Sequence, residues 1–178
     1  YFPSVSAAWR ISGEDFMSNT KGWLTDLKLR ASYGMTGNFQ IGNYTHLSTM
    51  DTDNYILGSG NGSETSGYKP TGVENPDLTW EKTGMANVGI DANFLNGYIT
   101  LTAEYYNSMT TDMLLNVPIP HLTGYSTTLM NIGKVNNRGV ELQIGSSHSY
   151  ENGLGYSFNA NFAKNINEVK ALGANDTP

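Results

Sequence analysis

Cysteine is absent from the 178 residues. That excludes a disulfide scaffold and any thiolate metal site, and it leaves the compartment open. Charge is scarce too, at 15% of residues. The balance is acidic, with 10 Lys and Arg against 16 Asp and Glu and a net charge of −6. A nucleic-acid partner would need a basic face, so that class is set aside. No apolar run reaches the ~18 residues that a membrane helix needs. No signal peptide is recognisable, and no initiator Met opens the chain, which begins "YFPSV" and ends "GANDTP". The expectation is an internal piece of a longer protein.

What is abundant is glycine, at 20, and tyrosine, at 11. Together with the low charge they suit an all-β architecture. The stretch "NVGIDANFLNGYITLTAEYYN" (Asn87–Asn107) makes the case locally. Apolar and polar residues alternate through Phe94, and again from Tyr98, on either side of Asn96-Gly97. Two alternating runs joined by Asn-Gly read as an antiparallel hairpin.

The same period-two pattern predicts six strands. They lie near Ser4–Ile11, Leu24–Gly34, Trp80–Phe94, Tyr98–Leu115, Arg138–Tyr150 and Leu154–Ile166, with a short extra strand near Tyr44–Met50. Each has one oily face, as in Ile90, Leu101, Leu142 and Phe158, and one polar face, as in Asp91, Thr102, Gln143 and Asn159. Turns at Asn96-Gly97 and Glu151–Gly153 are short, and Ser12–Trp23 is intermediate. Met35–Thr79 and Asn116–Asn137 read as long loops, with "GSGNGSETSG" (Gly58–Gly67) as a flexible stretch inside the first. Loops of that length in a compact domain are usually functional.

Two settings fit one oily face per strand: the core of a soluble β-sandwich, or lipid. An up-and-down meander with every short turn at one end and every long loop at the other has the plan of an outer-membrane barrel. The aromatics on the oily faces favour that reading. Trp9, Phe94 and Tyr156 fall near the short-turn end, and Tyr33, Tyr105 and Phe162 toward the long-loop end, as two interfacial girdles would. The expected fold class is therefore all-β, an antiparallel up-and-down meander forming part of a large transmembrane β-barrel.

Seven collinear segments carry a family resemblance. They are "YFPSVSAAWRIS", "LKLRASYGMTGN", "IGNY", "NPDLTWEKT", "LTAEYYN", "TDMLLNVPIP" and "NIGKVNNRGVELQI". Together they resemble SusC-type TonB-dependent outer-membrane transporters of Bacteroidetes. The resemblance implies that residues 1–178 are a partial β-barrel domain, from the C-terminal half of a barrel of about 22 strands. The family's plug domain and TonB-contacting segment have no counterpart here. It implies an outer-membrane location and a lipid bilayer around the wall. Implied partners are a SusD-like lipoprotein, the TonB complex through the upstream part, and an oligosaccharide or peptide substrate.

No catalytic constellation is visible, and neither an enzyme nor a cofactor is expected. His46, His121 and His148 have no metal-ligand spacing. The adjacent His148-Ser149 does not build a Ser–His pair. "DTDN" (Asp51–Asn54) lacks the glycine and distal glutamate of a calcium loop and reads as a solvated turn. The candidate site residues are aromatics in the long loops. Tyr44, Tyr55 and Tyr68, with Trp80 at a loop–strand junction, are the candidates to stack on a sugar ring. In "VPIPHLTGY" (Val117–Tyr125), Ile119, Leu122 and Tyr125 are the candidates for protein contact, with plug, lid or neighbouring loops.

Overall fold

The structure, a computed structural model, describes residues 1–58, 62–151 and 153–173. Eight strands are present among them: β1 (Ser4–Arg10), β2 (Leu24–Asn38), β3 (Met50–Leu57), β4 (Ser63–Pro70), β5 (Glu81–Phe94), β6 (Ile99–Pro118), β7 (Thr127–Ser149) and β8 (Gly155–Ala171). Six of them form one antiparallel sheet in the order β1-β2-β5-β6-β7-β8, and β3 and β4 pair separately as a hairpin. All six predicted main strands exist. Several continue further than alternation alone indicates.

Both expected long loops contain strand. Met35–Thr79 is not structureless: β2 runs on to Asn38, and β3 and β4 form a ribbon in full register from Met50↔Pro70 to Leu57↔Ser63. The extra strand expected near Tyr44–Met50 is instead a turn, and the strand begins where that prediction ended. Ser63–Gly67, read as flexible, belongs to β4, while 59–61 lie outside the described residues. Asn116–Asn137 is mostly strand as well, because β6 reaches Pro118 and β7 starts at Thr127. The physical reason is common to all of these. A ribbon with water on both faces needs no oily face, so its strands carry no alternation to read. Of the short turn Glu151–Gly153, Asn152 lies outside the described residues, and Gly153 takes φ +85°. Ser12–Trp23 holds two short 3-10 segments.

Register fixes which side chains share a face. One row reads Trp9, Leu29, Ile90, Ala103, Leu142, Phe162. The adjacent row reads Ala8, Arg30, Gly89, Glu104, Glu141, Ala163. One side of the sheet is thus oily and the other polar, as the period-two pattern requires. Arg30 ties the polar side together. Its Nε donates to Asp91 at 3.1 Å and its Nη2 to Glu104 at 2.8 Å, two strands away. Gly89 makes the reach possible, since a Cβ there would lie 2.9 Å from the guanidinium carbon.

The strand ends are staggered against these rows. At the short-turn end, Arg10 lies one residue beyond Trp9, Phe94 four beyond Ile90, and Gly155 seven beyond Phe162. A steady stagger is what tilted strands of a closed barrel need. The stagger also levels the aromatics. Trp9, Phe94 and Tyr156 each sit within a residue of their strand end, on the oily side. Tyr33, Tyr105 and Phe162 sit nine, six and seven residues into their strands. At ~3.3 Å per residue the two levels lie roughly 20–30 Å apart along the strands.

There is no core. The buried apolar residues among those described are Leu24, Ala92 and Ala171, and no large side chain is fully buried. Val5, Ile90, Leu142, Phe158 and Phe162 are all exposed. No second layer covers them, which removes the sandwich alternative: a sandwich packs two inner faces against each other. The isolated 178-residue polypeptide has an uncovered oily face and unpaired edges at β1 and β8. It is expected to aggregate in water and to disperse only in detergent. Size-exclusion chromatography with and without detergent checks this, and a cooperatively melting monomer in plain buffer is the contrary outcome.

Candidate functional site

The long-connection end of the sheet carries the candidate residues, and a small set of polar clips builds it. Asn131 on β7 is the central one. Its amide nitrogen donates to Thr79 O and Asp112 O, both at 2.7 Å, and its amide oxygen accepts from Thr79 N at 2.9 Å. Asn75 donates to Leu129 O at 2.8 Å. The segment leading into β5 is thereby fastened across β6 and β7. Asp112, at φ +58°, marks a bulge in β6. That bulge is held by Lys82 Nζ on the Asp112 carboxylate at 2.9 Å and by Leu114 N on Glu81 Oε1 at 3.0 Å. A bulge at the rim bends the strand and re-aims its continuation.

The predicted aromatics are divided among three places. Tyr44 sits in the 42–47 turn at φ +64°, with its ring exposed. The left-handed backbone of a bulky residue costs energy and stands out for that reason. Tyr44 lines an open cleft of about 340 Å³ with Phe39, Ile41, His46 and Trp80. Trp80 is also stacked on Phe2, with centroids 5.9 Å apart and an interplanar angle of 12°. The Phe2 ring covers Gly37, where a Cβ would not fit.

Tyr55 and Tyr68 are elsewhere, on the β3–β4 ribbon. Tyr55 faces Thr65 and lies over Gly67, whereas Tyr68 faces Thr52 on the opposite side of the ribbon. They cannot grip one small ligand from the same side. Asp51–Asn54, read as a turn, is part of β3, and Asp53 pairs with Lys69 at 3.0 Å. Among the described residues no cluster of three or more metal-ligating side chains occurs.

The 119–126 turn is the third place. Ile119 N bonds Ser126 O, Gly124 closes a 3-10 turn at φ +84°, and Leu122 is fully exposed. Tyr125 donates its hydroxyl to Pro70 O at 2.9 Å, so this turn touches the base of the β3–β4 ribbon. Asp51, Lys69, Thr123 and Tyr125 line the open space between them, about 430 Å³. His148 sits far from all three places. It is stacked on Tyr98 at 4.3 Å and edge-on to Tyr150 at 4.4 Å, at the short-turn end. Ser149 follows it onto the opposite face of β7, so the two form no pair.

The sequence matches the family described as "TonB dependent receptor-like, beta-barrel" over residues 1–178. The chain belongs to that family. TonB-dependent receptor P39 of Formosa agariphila is 35% identical over 98% of the chain. TonB-dependent receptor SusC of Bacteroides thetaiotaomicron is 32% identical, also over 98%. Among solved structures, the RagAB peptide importer in its open-open state superposes with a TM-score of 0.83 at 32% identity, over 96% of the chain. The closed-closed state gives 0.79. The chain spans less than a fifth of the length of these relatives. It is a stretch of an outer-membrane barrel wall, and among the described residues its six-stranded sheet is open at both edges.

Sequence reading did not find Asn131, Asn75 or Arg30 as organising residues. Asn75 and Asn131 lie inside "NPDLTWEKT" and "NIGKVNNRGVELQI", and their placement within two of the resembling segments was the available signal. Replacing Asn131 with Ala removes three hydrogen bonds at once and leaves Thr79 and Asp112 carbonyls short of a donor. The expected cost is about 1–3 kcal/mol. Amide exchange should quicken at Thr79 and along the start of β5, while β7–β8 amides near the short turn stay unchanged. Hydrogen exchange on the full-length protein in detergent checks this.

Proposed function

We propose that the chain is a six-stranded wall segment of an importer in the outer membrane, with its oily face on lipid and its polar face on the lumen. The single observation that carries this is the near-complete superposition on the RagAB peptide importer at 32% identity. The uncovered oily face and the levelled aromatics support it independently. The substrate class is oligosaccharide or peptide, and uptake is energised through the TonB complex. A SusD-like lipoprotein covers the outer mouth. The segment acts by binding and guiding, not by catalysis.

Facing is the first test. Arg at Leu101 or Leu142 should cost about 2–4 kcal/mol near the membrane midplane, and Arg at Thr102 or Gln143 much less. Folding titrations of the full-length protein into vesicles measure the difference. Equal costs at the two sets would contradict the orientation.

At the outer mouth, Tyr44 and Trp80 offer one aromatic cleft and Tyr55 and Tyr68 two separate faces of a ribbon. Sugar rings and apolar side chains both pack on such surfaces. Removing a ring that a ligand covers should weaken binding by about 1 kcal/mol. Ile119, Leu122 and Tyr125 belong to protein contact. Tyr125 reaches the ribbon, and the exposed Leu122 is suited to a partner such as the lid. Alanine variants of the two groups in the full-length protein, scored for uptake and for co-purification of the lipoprotein, separate the roles. The assignment is reversed if the Tyr44, Tyr55, Tyr68 and Trp80 changes leave uptake intact while the Ile119–Tyr125 changes remove substrate affinity alone.

A further inference from the structure

The β3–β4 ribbon pairs apart from the six-stranded sheet, and two strands alone are marginally stable in water. Register decides which backbone groups it leaves unpaired. Thr71 N donates to Thr49 O at 2.8 Å, one step before Met50↔Pro70. Bonded pairs alternate along an antiparallel ladder, so the inward-bonded ones are Asp51↔Lys69, Asp53↔Gly67 and Tyr55↔Thr65. The even-numbered residues turn their N–H and C=O groups outward. Pro70 agrees with this assignment. It has no N–H to give the ladder, and its outward carbonyl accepts the Tyr125 hydroxyl at 2.9 Å.

The two edges of the ribbon are unlike. On β3, the Thr52 N–H donates to Asp51 Oδ1 at 2.8 Å, and carboxylates along an edge discourage pairing. On β4, the outward N–H and C=O groups of Glu64, Ser66 and Tyr68 have no partner among the described residues. A tyrosine stands on each side of that edge. Tyr68 is exposed on one face of β4. On the other face Tyr55 reaches across from β3 and lies over Gly67.

One sugar ring cannot stack on two tyrosines held on opposite faces of a ribbon. An extended peptide meets both, because its side chains alternate from face to face. Resting on the importer reading above, we propose that the β4 edge is a subsite for an extended peptide, which adds to the ribbon as a third strand. Main-chain bonds to Glu64, Ser66 and Tyr68 hold it with little regard to its sequence. Tyr68 and Tyr55 take neighbouring peptide side chains, one on each face. The third strand also supplies the pairing that a two-stranded ribbon lacks.

The probe is a labelled octapeptide of alternating threonine and valine with a lysine at each end. Fluorescence anisotropy on the full-length protein in detergent reads its affinity. Asn54 and Ser66 face each other, so N54P and S66P put one proline on each edge and spare the inward bonds. S66P should weaken binding about tenfold, and N54P about twofold at most. Y55A and Y68A should each weaken it about fivefold. Methylating the peptide's threonine and valine nitrogens should weaken wild-type binding by about 100-fold, at about fivefold for each of three lost bonds. If S66P loses amide protection at Tyr55 and Gly67, the methylated peptide on the wild type carries the test. Equal binding of the two peptide forms overturns the proposal. So does an equal effect of N54P and S66P, or a wild type that binds no peptide. A full-length protein that stays dispersed without detergent overturns the membrane reading itself, whatever it binds.

Discussion

A single-layer sheet has nowhere of its own to bury an oily face, and everything else in this molecule depends on that constraint. Its strands are long and its hydrogen-bonded ladder is continuous, but the ladder alone leaves Val5, Ile90, Leu142 and Phe162 uncovered. In water such a face would cost more than pairing returns. The medium that covers it must be apolar and must extend across all six strands. A bilayer meets both conditions, and it also explains why the aromatics are held at two levels.

The polar face answers to a different demand. It is lined with Asn, Thr, Ser and a few charges, and the charges are tied to one another across strands. Arg30 connects Asp91 on β5 with Glu104 on β6, passing over a glycine that leaves room for it. The ions are only part-buried, so each bond contributes modestly to stability. Their larger effect is to hold a long cation along the sheet, across three strands.

The rim is where the wall becomes specific. Above the outer aromatic level the strands no longer need an oily side, and they change character. β6 bulges at Asp112, the β3–β4 ribbon stands off the sheet, and the 119–126 turn reaches it through Tyr125. Asn131 and Asn75 hold the entry to β5 against this assembly. Aromatic rings and a fully exposed Leu122 then occupy different places on one rim.

The strands inside the membrane band were legible in the sequence because each has two unlike surroundings. Ile90 against Asp91 or Leu142 against Gln143 needs no coordinates to assign to opposite faces, and Asn96-Gly97 names its own turn. Above the band both sides of a strand meet water, alternation vanishes, and β3, β4 and the first part of β7 read as loop. The aromatic candidates could be named for the same reason that they could not be grouped. A ring in a polar segment is conspicuous, but whether Tyr55 and Tyr68 share a face is a matter of register across a hairpin. What the sequence determined by itself was the alternation and the succession of the six main strands along the chain. What only the tertiary structure decided was the pairing register. Register alone turns scattered residues into levels and puts Arg30 on Glu104, because neighbours across a sheet are distant in the chain.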